Sequence, residues 1–188
     1  MARLVRWTPP PPHYVKCNVD ASFKEWQDLD NEGGVGVIAR DFRGEIIGCG
    51  HFYFRGVWLE SSIHAECVAL LRSIYYMISL NKRRIIFESD CMKVIDYIYG
   101  NCRVPRLVSG IIQRSLQLLR DQSIFDSWSV RHVVREANSV ADHLARIAVD
   151  VKGWSMWSAD YPPGVLERAR VDISDSHVRV PRRWRRTQ

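Results

Sequence analysis

The fold is decided by the stretch Lys16-Cys17-Asn18-Val19-Asp20-Ala21-Ser22. Apolar and polar side chains alternate through it, from Tyr14 to Phe23, and this period of two predicts a β-strand. The pattern places Asp20 inside the strand, where acidic residues are disfavoured. Asp20 therefore either faces solvent from a half-exposed strand or has a chemical role that keeps it there.

The elements predicted around this strand give the order βββαβααβα. Further strands are predicted from apolar runs and alternation at residues 34–40, 46–54, 84–88 and 128–134. Helices are predicted from three- and four-residue apolar spacing at residues 60–80, 92–99, 106–121 and 140–149. Because strand–helix–strand units form right-handed parallel connections, we expect an α/β fold. Its mixed five-stranded sheet has three antiparallel strands first in the chain and helices on both faces.

Length and composition exclude several classes of protein. The chain has 188 residues, of which 46% are hydrophobic and 26% charged, so one compact domain is expected and wholesale disorder is excluded. No apolar run approaches the roughly 18 residues of a membrane helix, and the N-terminal residues lack the apolar segment of a signal peptide. We expect an intracellular protein of the nucleus or cytoplasm, neither secreted nor membrane-bound. The five cysteines form no Cys-x-x-Cys pair, which argues against a disulfide framework or a zinc ribbon.

The formal charge of +6 is carried by the two ends of the chain. Residues 14–150 hold 17 basic and 17 acidic side chains and are predicted to form the folded domain. Residues 1–13 are a Pro-rich lead-in, and residues 151–188 are a basic C-terminal extension. The extension ends in an arginine cluster: Arg179, Arg182, Arg183, Arg185 and Arg186. Such a cluster either attracts a polyanion or is a solvated or nuclear-address tail, and both interpretations stay open.

Four acidic residues fall where burial or sheet geometry disfavours them: Asp20, Glu66, Asp90 and Asp142. Glu66 lies on the apolar stripe of the first predicted helix, and a buried carboxylate needs a cation or a proton. Asp90 stands where a strand ends and a helix begins, so alone it is also explained as a helix cap. Asp142 follows Ser139 in a Ser-x-x-Asp pattern, which is typical of a capping box.

Together the four carboxylates predict a metal site. The first and fourth strands are expected to be neighbours in the sheet, with one helix packed near each carboxylate. Converging carboxylates repel one another unless a cation binds them, and hard oxygen ligands suit Mg²⁺ or Mn²⁺ rather than zinc. Two such ions about 4 Å apart activate a water and stabilise the leaving oxygen of a phosphodiester. The expected chemistry is therefore phosphodiester hydrolysis.

In these segments the chain resembles ribonuclease H, and more narrowly the plant ribonuclease H-like domains related to the reverse transcriptases of non-LTR retrotransposons. The resemblance rests on Trp7 with its prolines and on residues 16–22, 34–41, 65–70, 88–90 and 131–145. It implies a type I ribonuclease H that cleaves the RNA strand of an RNA/DNA hybrid. It also implies that two Mg²⁺ or Mn²⁺ ions bind: Asp20 bridges both, Glu66 and Asp90 help to hold one, and Asp142 helps to hold the other. The protein is expected to be a monomer.

Four polar residues are candidates for contact with the substrate: Asn18, Ser22, Asn138 and Arg135. The chain also departs from the family pattern, because ribonucleases H often carry a histidine in the loop before the last helix and residues 135–139 hold none. Glu136 is an alternative helper there, whereas His132 is assigned a structural place in the fifth strand. The basic, Trp-rich insertion of some relatives is missing from residues 100–106, so a firm grip on substrate requires the arginine cluster.

Two other functions stay open. A nucleic-acid-binding domain derived from a retrotransposon would keep the fold without useful catalysis. A proofreading-type 3′–5′ exonuclease would need Asp-x-Glu in the first strand, and Ser22 stands at the second position after Asp20. The segment that contains Trp154 and Trp157 is interpreted either as a protein-interaction site or as a strap over the sheet edge.

Overall fold

The computed structural model describes residues 6–26, 30–56 and 59–173, and the arginine cluster lies outside these ranges. The described strands are β1 (Val15–Lys24), β2 (Glu32–Arg40), β3 (Ile46–Arg55), β4 (Arg84–Ser89), β5 (Ser127–His132) and β6 (Trp154–Trp157). The α-helices are α1 (Ser62–Ser79), α2 (Met92–Tyr99), α3 (Arg106–Arg120), α4 (Ser139–Val151) and α5 (Pro163–Ile173). A 3₁₀ turn at Arg135–Asn138 leads into α4. Among the helices of these ranges, none combines the length and apolar character that a membrane span requires.

The strands form one mixed sheet in the order β5-β4-β1-β2-β3-β6. The pairs β1–β2 and β2–β3 are antiparallel, whereas β1–β4 and β4–β5 are parallel. This confirms the predicted α/β class and its three leading antiparallel strands. The predicted count of five strands is wrong, because β6 adds a sixth beside β3. Four residues are too few to show a periodic pattern, and the strand forms through backbone pairing that side-chain spacing does not report.

Both faces of β1 are buried, although its sequence alternates. Cys17 and Val19 belong to the main apolar cluster, which also contains α1 residues. Lys16, Asn18 and Asp20 project from the opposite face, and none is more than 5% exposed. The possibility that Asp20 faces solvent from a half-exposed strand is therefore wrong. Its carboxylate is a buried acidic group that requires a partner.

Helix α4 lies very close to the sheet over β2. Gly36 pairs with Asp20 across the β1–β2 ladder. A Cβ atom at Gly36 would meet the backbone carbonyl oxygen of Ala141 and the amide nitrogen of Ala145, both in α4. Gly34, one strand repeat away, faces the same helix. The missing side chains allow the helix backbone to approach the strand, so α4 and its preceding turn reach the buried face of β1.

Segments outside residues 14–150 pack against the sheet. Trp7 is 1% exposed and its ring lies 3.8 Å from the guanidinium carbon of Arg40. Helix α5 buries Val165 and Ile173 in the same small apolar cluster as Trp7. The domain limits at residues 14 and 150 stay a prediction, but apolar burial continues on both sides of them.

Candidate active site

Three carboxylates from separate elements meet at one end of the sheet. One ligand atom each from Asp20, Glu66 and Asp90 lies within 4.8 Å of the others. The strand register explains the first contact: Asn18 of β1 pairs with Glu88 of β4, so Asp20 and Asp90 stand level, two residues further along parallel chains. The second turn of α1 adds Glu66. We call these three residues the acidic cluster.

Asp90 reaches the cluster instead of capping α2. The N-cap of α2 is Cys91, and that cap has no side-chain hydrogen bond. Asp90 is therefore not the ordinary capping residue that its position alone suggests. Its carboxyl group lies within hydrogen-bond distance of the Asp20 carboxyl group.

Asp142 lies beside the acidic cluster but is not one of its three members. It sits in the first turn of α4, whose N-cap is Asn138 without a side-chain cap bond. Its Oδ1 accepts a hydrogen bond from Arg146 at 3.0 Å and lies 3.6 Å from a guanidinium nitrogen of Arg135. The Asp142 charge is near enough to Asp20 to raise the pKa of that carboxyl group. The role of Asp142 as a metal ligand stays a prediction.

The electrostatics of the cluster favour protons or cations. Burial, followed by the charges of Glu66 and Asp90, raises the pKa of Asp20 to about 9. Burial and the Asp90 charge raise the pKa of Glu66 to about 8, against smaller lowering effects from the Ala21 backbone and Arg135. Without a cation, the cluster therefore retains protons near neutral pH.

We expect the metal-free protein to lose stability as pH rises from about 4 to about 9. In that range the folded state binds more protons than the unfolded chain, because the folded pKa values of Asp20 and Glu66 are raised. Their contribution to the free energy of unfolding is complete below the unfolded pKa values, near 4. It is lost as pH rises through the folded values of about 8 and about 9. Mg²⁺ should raise the melting temperature at high pH towards its value at low pH, because the cation offsets the repulsion between the carboxylates.

Thermal melts near pH 6 and pH 9, with Mg²⁺ and with chelator, measure this effect. An Asp20→Asn variant isolates the contribution of the cluster from that of all other titrating groups. If wild type and variant lose the same melting temperature between the two pH values, the expectation is contradicted.

Comparison with known families identifies the domain. A family model described as reverse transcriptase-like matches residues 18–148, which is more than half of the chain. The chain belongs to the reverse transcriptase-like family. The family match extends from β1 into α4 and includes all four predicted carboxylates. A search of curated proteins found no match.

Solved structures similar to this family member have the ribonuclease H fold. Ribonuclease H1 of the halophilic archaeon Halobacterium salinarum is 24% identical, with a TM-score of 0.64 over 73% of this chain and 98% of that one. A ribonuclease H1 isolated from compost, solved with an RNA/DNA hybrid, is 17% identical, with a TM-score of 0.61 over 73% and 98%. The foamy viral protease-reverse transcriptase, also solved with a hybrid, is 14% identical, with a TM-score of 0.56 over 80% of this chain and 21% of that one. The α/β sheet described above is therefore a ribonuclease H fold.

The four residues predicted to contact substrate occupy two different settings. Asn18 and Asn138 are each 1% exposed, and their side-chain amides bond to protein groups. Ser22 is half-buried on β1, and 71% of the Arg135 side chain is exposed. The substrate contacts stay predictions for all four. Ser22 and Arg135 are the two that lie at the protein surface.

The structure places His132 in β5, the fifth strand to which the sequence assigned it. The side chain is exposed at the last position of β5, and His132 pairs with Ser89, the residue before Asp90. Glu136 is exposed in the turn before α4.

Proposed function

We propose that this protein is a metal-dependent endonuclease that hydrolyses the RNA strand of RNA/DNA hybrids. One observation carries the proposal: the carboxylates of Asp20, Glu66 and Asp90 meet within 4.8 Å inside a ribonuclease H fold. The narrower lineage, a type I enzyme related to plant retrotransposon domains, is supported by the sequence motifs and by the reverse transcriptase-like family match.

The donor set fits a hard divalent cation. The cluster offers only carboxylate oxygens, which Mg²⁺ and Mn²⁺ prefer. We propose two ions, with Asp20 shared between them, Glu66 and Asp90 completing one site, and Asp142 contributing to the other. When bound, such ions supply an activated water and stabilise negative charge on a phosphate.

The protein residues around the cluster supply binding and orientation. Burial fixes Asp20 on a rigid strand, and the Ala21 backbone hydrogen bond holds Glu66 beside it. The exposed guanidinium group of Arg135 lies beside Asp142 and is placed to attract a phosphate of the substrate. These roles require no movement of the sheet.

Incubation with labelled nucleic acids tests the proposal. An RNA/DNA hybrid, matched single-stranded RNA and duplex DNA should each be incubated with Mg²⁺, Mn²⁺ or chelator. Duplex DNA is included because the foamy viral relative has also been solved with double-stranded DNA. We expect metal-dependent cutting of the hybrid within the RNA strand. No cutting of any substrate by a protein that binds the hybrid would overturn the enzymatic proposal.

A second function is favoured by one observation. Asp142 is engaged by Arg146 and Arg135 instead of joining the acidic cluster. This arrangement would suit a nucleic-acid-binding domain with weak catalysis. Hybrid binding without metal-dependent cutting is its expected signature.

Arg135→Ala is expected to weaken hybrid binding several-fold and to reduce the slope of log affinity against log salt by about 1, because one phosphate contact is lost. Binding should be measured in an Asp20→Asn background, which removes cleavage from the assay. Arg84→Ala is a matched control, because Arg84 is exposed at the opposite end of β4 from Asp90. Equal salt slopes for the Arg135 variant and its parent would refute the contact.

A further inference from the structure

A chain of buried polar side chains connects α5 to the acidic cluster. Arg40 donates a hydrogen bond to Asp172 of α5 at 2.8 Å and another to Oδ1 of Asn18 at 3.3 Å. The Asn18 amide then donates to Oδ1 of Asn138 at 3.2 Å. The Asn138 amide donates to Oδ1 of Asp20 at 3.4 Å. We call Asp172, Arg40, Asn18, Asn138 and Asp20 the buried relay.

The relay has one direction, and Arg40 sets it. A guanidinium group only donates hydrogen bonds, so it can face only the oxygen end of the Asn18 amide. The nitrogen of Asn18 must then point away from Arg40, and its two hydrogens are used by Glu88 at 3.1 Å and by Asn138. Reversing this amide would place an NH₂ group against the cation and an oxygen against the Glu88 carboxylate.

The orientation of the Asn18 amide also determines that of the Asn138 amide. Its oxygen accepts from Asn18, so its nitrogen faces β1 and donates to the Val19 carbonyl at 3.0 Å and to Asp20. Every hydrogen of both asparagine amides has a partner within the protein, and both side chains are 1% exposed. The relay therefore ends in the Asn138 amide, which donates to one oxygen of Asp20. Asp20 is the carboxylate that is proposed to bind both ions.

The Val19 carbonyl, which can only accept, favours the same orientation of the Asn138 amide. An isolated asparagine beside a carboxylate can rotate its amide, and water can replace the bond. Here Arg40 is 0% exposed, the ring of Trp7 covers it, and Asp172 neutralises it. Because an uncompensated buried charge is strongly destabilising, the guanidinium group keeps its position. A fixed donor therefore stands at the start of the relay.

We propose that Asn18 and Asn138 are positioning residues for Asp20, and that Arg40 and Asp172 fix their orientation from the C-terminal helix α5. The inference rests on the proposed function only in that Asp20 holds a divalent cation. Partners that orient a metal-binding side chain typically change metal affinity by about 10- to 100-fold when they are removed. Residues beyond 150 are then part of the support of the active site.

The relay is tested by Mn²⁺ titration of the full chain, followed by electron paramagnetic resonance. In an Arg40→Met/Asp172→Leu double variant, both buried charges are replaced by apolar side chains, an exchange that folded proteins often tolerate. We expect its dissociation constant for Mn²⁺ to rise about tenfold. Arg83→Met/Asp126→Leu is the matched control, because it removes an Arg–Asp pair at the other end of β4, and its affinity should equal that of wild type.

Two further measurements keep the inference falsifiable if the double variant is unstable or wild type binds no Mn²⁺. Asn138→Ala removes the donor to Asp20, together with the bonds of Asn138 to Asn18 and Val19, and leaves both buried charges in place. It should also weaken Mn²⁺ binding about tenfold. In the metal-free protein, NMR should show solvent exchange of the Asn138 side-chain amide at least about tenfold faster in the double variant than in the control. Unchanged Mn²⁺ affinity in both relay variants, or unchanged amide exchange, overturns the relay. Absence of Mn²⁺ binding to wild type overturns the proposed function instead, and the amide exchange then decides the relay.

Discussion

Asp20→Asn is expected to lower the rate of hybrid cleavage about a thousandfold or more while raising the melting temperature of the metal-free protein. The activity should fall because this carboxylate is central to the acidic cluster and is proposed to bind both ions. The melting temperature should rise because folding must either protonate Asp20 or bury its charge against Glu66 and Asp90, and asparagine removes that cost. The asparagine has the same shape and still accepts the Asn138 hydrogen bond.

Initial rates on a labelled hybrid with saturating Mg²⁺ measure the first effect, and melts in chelator measure the second. Asp96→Asn is a control of the same chemistry on the exposed side of α2, where Asp96 bonds to Asn101. This control should keep wild-type activity. A variant that loses activity and also melts lower than wild type would show that Asp20 stabilises the metal-free fold, contrary to the geometry of the cluster.

Gly36→Ala is expected to lower the free energy of unfolding by about 3 kcal/mol. The added methyl group would overlap backbone atoms of Ala141 and Ala145, which cannot move aside as a flexible side chain could. Helix α4 would have to shift from the sheet and carry the preceding turn with it. Because that turn contains Asn138, the Mn²⁺ affinity of the folded variant should weaken as well.

Urea unfolding of wild type and variant measures the change. Gly110→Ala is the control, because a Cβ atom at this position of α3 meets nothing within 4 Å. Removing a glycine from an exposed helix interior should raise stability by about 1 kcal/mol. Equal stabilities for Gly36→Ala and wild type would refute the close approach of α4 to β2.

The parts of the fold that sequence predicts are those with a repeating pattern. The alternation around Asp20 and the helical spacing that includes Glu66 indicated a strand and a helix, which the structure contains with ends within two residues of the expected ones. The junction after β4 placed Asp90 at a strand end. Because β1 and β4 are parallel neighbours, these three predicted positions are enough to bring Asp20, Glu66 and Asp90 together.

The parts of the site that the sequence does not predict depend on which element covers each face of the sheet. Local sequence patterns do not encode that. Alternation shows that Asn18 and Asp20 share a face, but α4 and its turn bury that face from far along the chain. The prediction that Asp142 binds a metal also left out a side chain that competes for its carboxylate. Arg146, four residues later, makes the helical ion pair that the spacing alone would have indicated.

The enclosure of Arg40 limits how this domain can be exchanged between proteins. Trp7 and Asp172 approach one guanidinium group from opposite ends of the described chain. A genetic rearrangement that transferred only residues 14–150 would carry an interior cation without its aromatic cover or its counterion. We therefore expect the smallest transferable unit to extend at least from Trp7 to Asp172, and sequence drift in these two flanks to be as constrained as in the strands they enclose.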